Sequence, residues 1–409
     1  MRNSPVKLAA CIAAILLFAA VINCLAPAAW AEERWKFAVL CDTRGGDQNG
    51  SNKSCINDTV VKALAQAVVA DGCELVIVPG DLVNGWWRNC CNDSTGRCCR
   101  NGANGCSDNC RISYEAQFNN WKKAMAPVYE AGIDIYAVRG NHEDGPSIYP
   151  PEYPYNTSPD QQLKSSFAKA FGSTETSNGP SGEENLTYSF THDNALFIGL
   201  DEYVTPHKIN QAWLNRQLQG NDKSHIFVFG HEPAFQVNHS DCLAAFPENR
   251  DAFWESIGAA GGRVYFCGHD HFYNRAHIED GSGHKIYQVL VGSCGAPFKQ
   301  WHPPYNDSSV QGDYHNEKDC GYILVTVDGD IAWIEWKAWQ KGNWVTRDSF
   351  AIKSAKATSG KAKDAKITLT YEGPIPVEIE ALVNIFPLNG SGSELQGSLI
   401  LSSSQGGRK

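Results

Sequence analysis

The sequence has no excess of positive charge. Its 409 residues include 35 Lys and Arg against 45 Asp and Glu, which gives a formal net charge of −10 at pH 7. Broad electrostatic attachment to nucleic acid or anionic lipid is disfavoured for such a chain, so we expect no nucleic-acid-binding surface. With 42% hydrophobic residues, the chain is long enough to bury a sizeable core.

Beyond its N-terminus, the sequence lacks any apolar run long enough to span a membrane. At the N-terminus, Arg2 and Lys7 flank the start of the apolar segment LAACIAAILLFAAVI, and Ala29 and Ala31 supply small residues where a signal peptidase would cut. These features predict a signal peptide over residues 1–31, with an uncleaved anchor helix as the alternative. We therefore expect an exported protein, periplasmic or secreted, with no membrane segment after cleavage.

Aliphatic residues are nearly absent from an insertion predicted over residues 84–112. It contains six of the fifteen cysteines, namely Cys90, Cys91, Cys98, Cys99, Cys106 and Cys110. Such a segment cannot form its own apolar core, and an exported protein with many cysteines is typically cross-linked, so we expect disulfides here. A thiolate metal cluster is the alternative. Thirteen cysteines follow residue 31, so at least one thiol is free or pairs outside the chain; Cys267, on an apolar strand, is interpreted as buried.

The sequence shows no internal repeat, but strand and helix patterns alternate along most of it. One helix is predicted over SYEAQFNNWKKAMAPVYEAG, and antiparallel strands are predicted in the later part, with Asp328-Gly329 as a hairpin turn. This alternation predicts a layered α/β domain with a second sheet over residues 34–352. A Lys-rich linker at 353–366 and a short strand-rich tail at 367–409 follow.

Polar side chains follow five of the predicted apolar strands at the point where each strand ends. They are Asp42, Asp81, Asn141 with His142, His231, and His269 with His271. Each alone is more typical of a turn, a cap or a surface position than of a ligand. The carboxyl ends of strands in an α/β fold form the crevice where sites are built, so we expect these side chains to converge. Their oxygen and nitrogen atoms favour zinc, manganese, iron or cobalt.

The motifs GDLV, GNHE, GHEP and GHDH resemble those of the calcineurin-like metallophosphoesterase superfamily, over roughly Phe37 to Trp339. The resemblance implies a four-layer α-β-β-α sandwich with two mixed β-sheets. It also implies a phosphomonoesterase or phosphodiesterase that attacks a phosphorylated small molecule with a metal-bound hydroxide. GHDHFYNR is similar to the purple acid phosphatase branch and GDLVNG to cyclic-nucleotide phosphodiesterases. Asn84 stands where the purple enzymes have a metal-binding tyrosine, so no iron–tyrosinate centre is expected.

The resemblance also implies a role for each motif residue. Two divalent or trivalent metal ions would be bridged by Asp81. One ion would be completed by Asp42 and His271, and the other by Asn141, His231 and His269. Asn141 would also contact the phosphate, and His142 would protonate the leaving alkoxide. Glu143 or Asp144 could orient the imidazole of His142, but both are interpreted as loop residues.

The first motif departs from the family pattern, because Asp-x-His is replaced by Asp42-Thr43-Arg44. A guanidinium cannot ligate a metal, so one of the two ions is expected to bind weakly. Arg44 either binds a phosphate oxygen, as a substrate-binding and catalytic residue, or points away while water takes its place. A catalytically weak or inactive phosphate-binding protein on the same fold is therefore the alternative to the hydrolase.

Overall fold

The computed structural model describes residues 34–45, 54–85, 114–144 and 159–355, together with four short strands between residues 365 and 396. The chain divides into two units, of which the larger is Trp35–Ala357. In the other unit, the strands β14 (Ala365–Tyr371) and β15 (Val377–Val383) pair antiparallel, as do β16 (Phe386–Leu388) and β17 (Glu394–Gln396). The predicted Cys-rich insertion lies almost entirely outside the described residues.

The first sheet of the larger unit is mixed. Its six strands are β1 (Trp35–Val39), β2 (Leu75–Pro79), β3 (Asp134–Val138), β11 (Gly321–Asp328), β12 (Ile331–Gln340) and β13 (Asn343–Lys353). Their order is β13-β12-β11-β1-β2-β3, with β1, β2 and β3 parallel and the other neighbours antiparallel. The predicted turn lies between β11 and β12, where Gly329 has a φ of 56°.

The second sheet is also mixed and has seven strands. They are β4 (Tyr188–His192), β5 (Ala195–Gly199), β6 (His225–Phe229), β7 (Val264–Cys267), β8 (Tyr273–Glu279), β9 (Lys285–Val291) and β10 (Gln311–Asn316). Their order is β10-β8-β9-β7-β6-β5-β4, and β5, β6, β7 and β9 are parallel. Parallel strands buried on both faces read as the continuous apolar runs seen in the sequence.

Helices cover the outer faces of the two sheets. The described helices are α1 (Asp58–Ala70), α2 (Tyr114–Ala124), α3 (Ala126–Glu130), α4 (Asn141–Asp144), α5 (Pro159–Phe171), α6 (Gln211–Leu218) and α7 (Pro247–Ala260). Buried side chains of α1 to α3 and α5 belong to the same apolar core as the first sheet, whereas those of α6 and α7 pack with the second sheet. The predicted α-β-β-α sandwich with two mixed sheets is confirmed.

Aromatic side chains join the two sheets across the middle of the sandwich. Phe37 on β1 lies edge-to-face against Phe197 on β5 and Phe227 on β6, with ring centroids 5.1 and 4.8 Å apart. All three rings are fully buried. Such pairs add to the stabilisation from burial and hold the sheets together, so the exits of their parallel strands form one edge.

Two features of the secondary structure differ from the prediction. The long helix expected from residue 113 is divided at Met125, where Pro127 starts the new helix α3, because proline lacks the N–H that a continuing helix needs. The strands β8 and β10 were not predicted, because their polar sequences YNRAHIE and QGDYHN lack a clear apolar alternation.

Six cysteines among the described residues are free thiols. They are Cys41, Cys73, Cys242, Cys267, Cys294 and Cys320. All but Cys320 are buried, as predicted for Cys267, and they pack as small apolar side chains. The predicted disulfides at Cys90 to Cys110 fall outside the described residues and stay a prediction.

Candidate metal centre

The predicted site residues come together at the shared edge of the two sheets, on the segments that leave the parallel strands. Three of them, Asp42, Asp81 and His269, have positive φ angles of 56°, 52° and 73°. This left-handed backbone costs a non-glycine residue about 1–2 kcal/mol, and such strain concentrates at functional sites. Gly140 allows β3 to approach the Asp81 loop, because an added Cβ would overlap Asp81 Oδ1.

One group of ligand atoms converges around Asn141 Oδ1. His231 donates from Nδ1 to the carbonyl of Pro79 at 2.8 Å, so its Nε2 carries a lone pair. That Nε2 lies 3.2 Å from Asn141 Oδ1 and 3.4 Å from Asp81 Oδ1. The Nδ1 atom of His269 is also 3.2 Å from Asn141 Oδ1. The lone pair on His231 Nε2 therefore faces two oxygen atoms that also carry lone pairs, and no hydrogen lies between them. Such a group of nitrogen and oxygen atoms suits a metal cation.

The charges of the two imidazoles support this interpretation. Burial, with the positive charge on His269 adding to it, lowers the pKa of His231 to about 4 despite nearby Asp81, so this ring is neutral. Burial also opposes charge on His269, but its close contact with the carboxylate of Asp241 and the charge of that group raise its pKa to about 9. The Nε2 atom of His269 is 3.4 Å from Asp241 Oδ1. The surroundings of Asn141 thus stabilise one positive charge, whether it is a proton or a metal ion.

A second group consists of Asp42, Asp81 and His271, each of which offers an atom within 4.8 Å of the other two. Asp42 Oδ2 accepts the thiol of Cys41 at 3.1 Å and the backbone N–H of His269 at 3.0 Å. Its Oδ1 is buried without a hydrogen-bond partner and lies 3.7 Å from His271 Nε2. Burial and the charge of Asp81 raise the pKa of Asp42 to about 8, and the hydrogen bond from Cys41 and the charge of Arg44 offset this rise only in part.

Arg44 points into the second group rather than away from it. Its Nε donates to Asp81 Oδ2 at 3.3 Å, and its Nη2 lies 3.1 Å from His271 Nε2. Only 7% of Arg44 is exposed. Of the two alternatives that the sequence leaves open for this residue, the structure favours the one in which the guanidinium belongs to the site.

His142 lies beside the same carboxylate. Its Nδ1 donates to the carbonyl of Asn84 at 2.7 Å, and its Nε2 lies 3.7 Å from Asp81 Oδ2. Burial would raise the pKa of Asp81, but the neighbouring His142, His231 and Arg44 outweigh that effect and hold it below its ordinary value. Asp81 is thus ionised and faces both groups, with Oδ1 toward His231 and Oδ2 toward Arg44.

The interpretation of Glu143 and Asp144 as loop residues is wrong, since both are buried in the one-turn helix α4. The carboxylate of Glu143 accepts the backbone N–H groups of Asp81 at 2.9 Å, Val83 at 3.0 Å and Gly140 at 2.9 Å. It therefore joins the segments after β2 and β3 and positions Asp81. A carboxylate directly after Asn-His in a buried segment is the signal that the sequence offered.

Glu202 has a corresponding role in the second sheet and was missed from the sequence. Its carboxylate accepts the backbone N–H groups of His231 at 2.8 Å and Glu232 at 2.6 Å, and the hydroxyl of Tyr265 at 2.6 Å. These bonds fix the segment that carries His231. The signal was a polar Asp201-Glu202 pair directly after the apolar run ALFIGL.

Asp, Asn and His side chains thus converge at the strand ends of a two-sheet sandwich. The chain belongs to the calcineurin-like phosphoesterase family, whose sequence profile matches residues 54–273. This match confirms the resemblance to the calcineurin-like metallophosphoesterases. No curated protein sequence matches the chain.

Among the solved structures that are similar in fold are a purple acid phosphatase and PhoD. The purple acid phosphatase PPD1 from yellow lupin (Lupinus luteus) seeds is 15% identical, with a TM-score of 0.54 over 79% of this chain and 54% of the phosphatase. The present chain thus spans about half the length of that relative. PhoD is 15% identical, with a TM-score of 0.53 over 80% of this chain and 71% of PhoD. At these identities the similarity establishes the fold alone.

Within the part of the chain that the structure describes, no helix is long and apolar enough to cross a bilayer.

Proposed function

We propose that the protein is an exported, metal-dependent hydrolase of phosphoric monoesters or diesters of small molecules. The family membership supports the reaction class. The proposal for this chain rests on the position of His231 Nε2, which lies 3.2 Å from Asn141 Oδ1 and 3.4 Å from Asp81 Oδ1, because such a set of acceptor atoms suits a divalent ion. The basic and apolar N-terminus over residues 1–31 supports export.

The chemistry needs a cation, a phosphate-binding group and a proton donor. A divalent ion held by Asp81, Asn141, His231 and His269 would offset the charge of the phosphoryl oxygens and favour ionisation of water. The amide NH₂ of Asn141 can donate to a phosphoryl oxygen while its Oδ1 faces the two imidazoles. The phosphate group would therefore be oriented at the exits of β3, β6 and β7.

His142 is proposed as the general acid. Its Nδ1 is occupied by the Asn84 carbonyl at 2.7 Å, so Nε2 is the atom that exchanges a proton with substrate. Asp81 Oδ2 lies 3.7 Å from this Nε2, beside the candidate metal ligands. The proton on Nε2 would pass to the leaving alkoxide oxygen as the phosphorus–oxygen bond breaks, which removes the cost of expelling a free alkoxide.

The test is phosphate-ester turnover by protein stripped of metal and then reloaded with manganese or zinc. We expect release of nitrophenolate from nitrophenyl phosphate or bis(nitrophenyl) phosphate only in the reloaded protein, and nucleotides in the same panel would narrow the substrate class. His231→Ala should abolish this release. His284→Ala is the matched control, because the partly exposed His284 pairs with Asp280 in the β8–β9 turn and is not one of the site residues.

Folded protein that binds metal and phosphate but releases no product from any ester would contradict the hydrolase. That outcome would favour the alternative of a phosphate-binding protein that has kept the fold. Folding would be checked by circular dichroism on the same samples.

A further inference from the structure

Arg44 makes a buried contact with each of two residues that the family pattern assigns to a metal ion. Nε donates to Asp81 Oδ2 at 3.3 Å, and Nη2 lies 3.1 Å from His271 Nε2. The backbone of Arg44 is fixed as well, since its N–H donates to the carbonyl of Asp81 at 3.2 Å and it forms a β-bridge with Ile56. The guanidinium is thus held in place from both its backbone and its side chain.

The tautomer of His271 decides what the guanidinium does there. Nδ1 of His271 donates to the carbonyl of Pro297 at 2.8 Å, so Nε2 carries the lone pair. Arg44 Nη2 can only donate, and it therefore takes up the lone pair that would otherwise bind a metal. The imidazole acts here as a hydrogen-bond acceptor toward a cation.

The two oxygens of Asp81 are divided between two positive groups. Oδ1 faces the His231 and Asn141 group, 3.4 Å from His231 Nε2, and it also accepts the backbone N–H of His142 at 3.1 Å. Oδ2 receives Arg44 Nε at 3.3 Å. A carboxylate that bridges two metal ions in the family pattern would thus bridge one metal ion and one guanidinium in this chain.

We propose that the Arg44 guanidinium takes the place of one of the two metal ions, so that the protein holds a single ion on Asp81, Asn141, His231 and His269. This inference rests on the proposed function. It goes beyond the weak second ion expected from the sequence, because the guanidinium fills the position instead of leaving it partly occupied. Of its five N–H donors, two face Asp81 and His271, and others can bind a phosphoryl oxygen of the substrate.

Asp42 is the residue that could oppose this arrangement. Its buried Oδ1 has no hydrogen-bond partner, and Asp42, Asp81 and His271 lie close enough together to hold an ion. A metal ion could therefore bind if Arg44 moved out. The number of bound ions per chain, measured without reference to activity, separates the two arrangements.

The experiment counts manganese ions bound to the full chain. Protein would be loaded with Mn²⁺, freed of loose metal by gel filtration, and analysed by elemental mass spectrometry and electron paramagnetic resonance. We expect one ion per chain with the six-line spectrum of an isolated Mn²⁺. In Arg44→His, which restores the family pattern, we expect two ions per chain and a spectrum broadened by coupling between them. Arg216→His, on the exposed face of α6, is the matched control and should keep one ion.

Each other outcome has a distinct meaning. Two tightly bound ions in the wild type would overturn the inference and leave the proposed function standing. One ion in both the wild type and Arg44→His would show that Arg44 is not what excludes the second ion. No ion in any variant would overturn the proposed metal-dependent function, and the inference with it. If Arg44→His fails to fold, the wild-type count still decides between one ion and two.

Discussion

A buried ion pair holds the two sheets together beneath the candidate site, and its removal should destabilise the fold strongly. Arg139, at the end of β3, donates from Nε to Asp201 Oδ2 at 2.7 Å and from Nη2 to Asp201 Oδ1 at 2.9 Å. Asp201 follows β5 in the second sheet, and both side chains are fully buried. The perturbation is Asp201→Ala, which removes the main partner of the Arg139 guanidinium. Arg139 lies two residues before Asn141.

The magnitude follows from what remains around Arg139. Removing one member of a buried pair costs about 3–5 kcal/mol. Asp144 Oδ1 stays 3.2 Å from Arg139 Nη1, which favours the lower end of that range. However, the backbone N–H groups of Tyr203 and Val204 also lose Asp201 Oδ1 as their acceptor, at a cost of about 1 kcal/mol. We therefore expect Asp201→Ala to lower the free energy of unfolding by about 4 kcal/mol.

The assay is equilibrium unfolding in guanidinium chloride, followed by tryptophan fluorescence. Glu115→Ala is the matched control, because Glu115 forms an exposed ion pair with Lys169 at 2.9 Å between α2 and α5. Exposed pairs contribute at most about 1 kcal/mol, so this variant should unfold close to the wild type. A loss below about 1 kcal/mol in Asp201→Ala would refute the reasoning.

The pH dependence gives a second check on the same pair. Burial would raise the pKa of Asp201, but the charge and hydrogen bonds of Arg139 outweigh it and hold the pKa below the ordinary value. A carboxyl whose pKa is lowered by folding stabilises the protein above its unfolded pKa, and this contribution is lost as the pH falls through the folded pKa. The difference between wild type and Asp201→Ala should therefore shrink below about pH 4.

Three further predictions concern the acid, the support of the site and the insertion. His142→Ala should slow hydrolysis of alkyl phosphates much more than that of nitrophenyl phosphate, whose leaving group needs little protonation; equal losses would contradict a general acid. Trp121→Phe removes the hydrogen bond to Thr43 Oγ1 and should cost about 1 kcal/mol in denaturant unfolding, whereas exposed Trp333→Phe should cost less. Peptide mapping without reductant should find that the six cysteines of the segment from Cys90 to Cys110 mostly form disulfides with one another. Six alkylatable thiols in this segment would favour a metal cluster instead.

The strand ends were predictable because their signal is local. An apolar run followed by a polar residue identifies both the strand and the edge at which it opens, so Asp81 and His231 could be assigned to one site. The two-sheet arrangement needed the family resemblance as well, because the apolar runs do not state which strands are neighbours. The polar strands β8 and β10 gave no such signal.

The supporting contacts were not predictable, because they join residues far apart in sequence. Glu143 acts on the backbone of Asp81, 62 positions away, and Glu202 acts on His231, 29 positions away. The direction of Arg44 was open for the same reason, since His271 is 227 positions from it. The motifs identify which side chains belong to the site. Which of these side chains contact one another depends on how the strand ends meet in three dimensions.

The most direct test of the account is the position of a metal ion in a crystal grown with Mn²⁺. Anomalous diffraction should show a peak within coordination distance of Asp81 Oδ1, Asn141 Oδ1, His231 Nε2 and His269 Nδ1, the four atoms that converge at the strand ends. A map from a folded, manganese-containing crystal with no peak at that position would contradict the assignment of this site as the metal centre of a phosphoesterase.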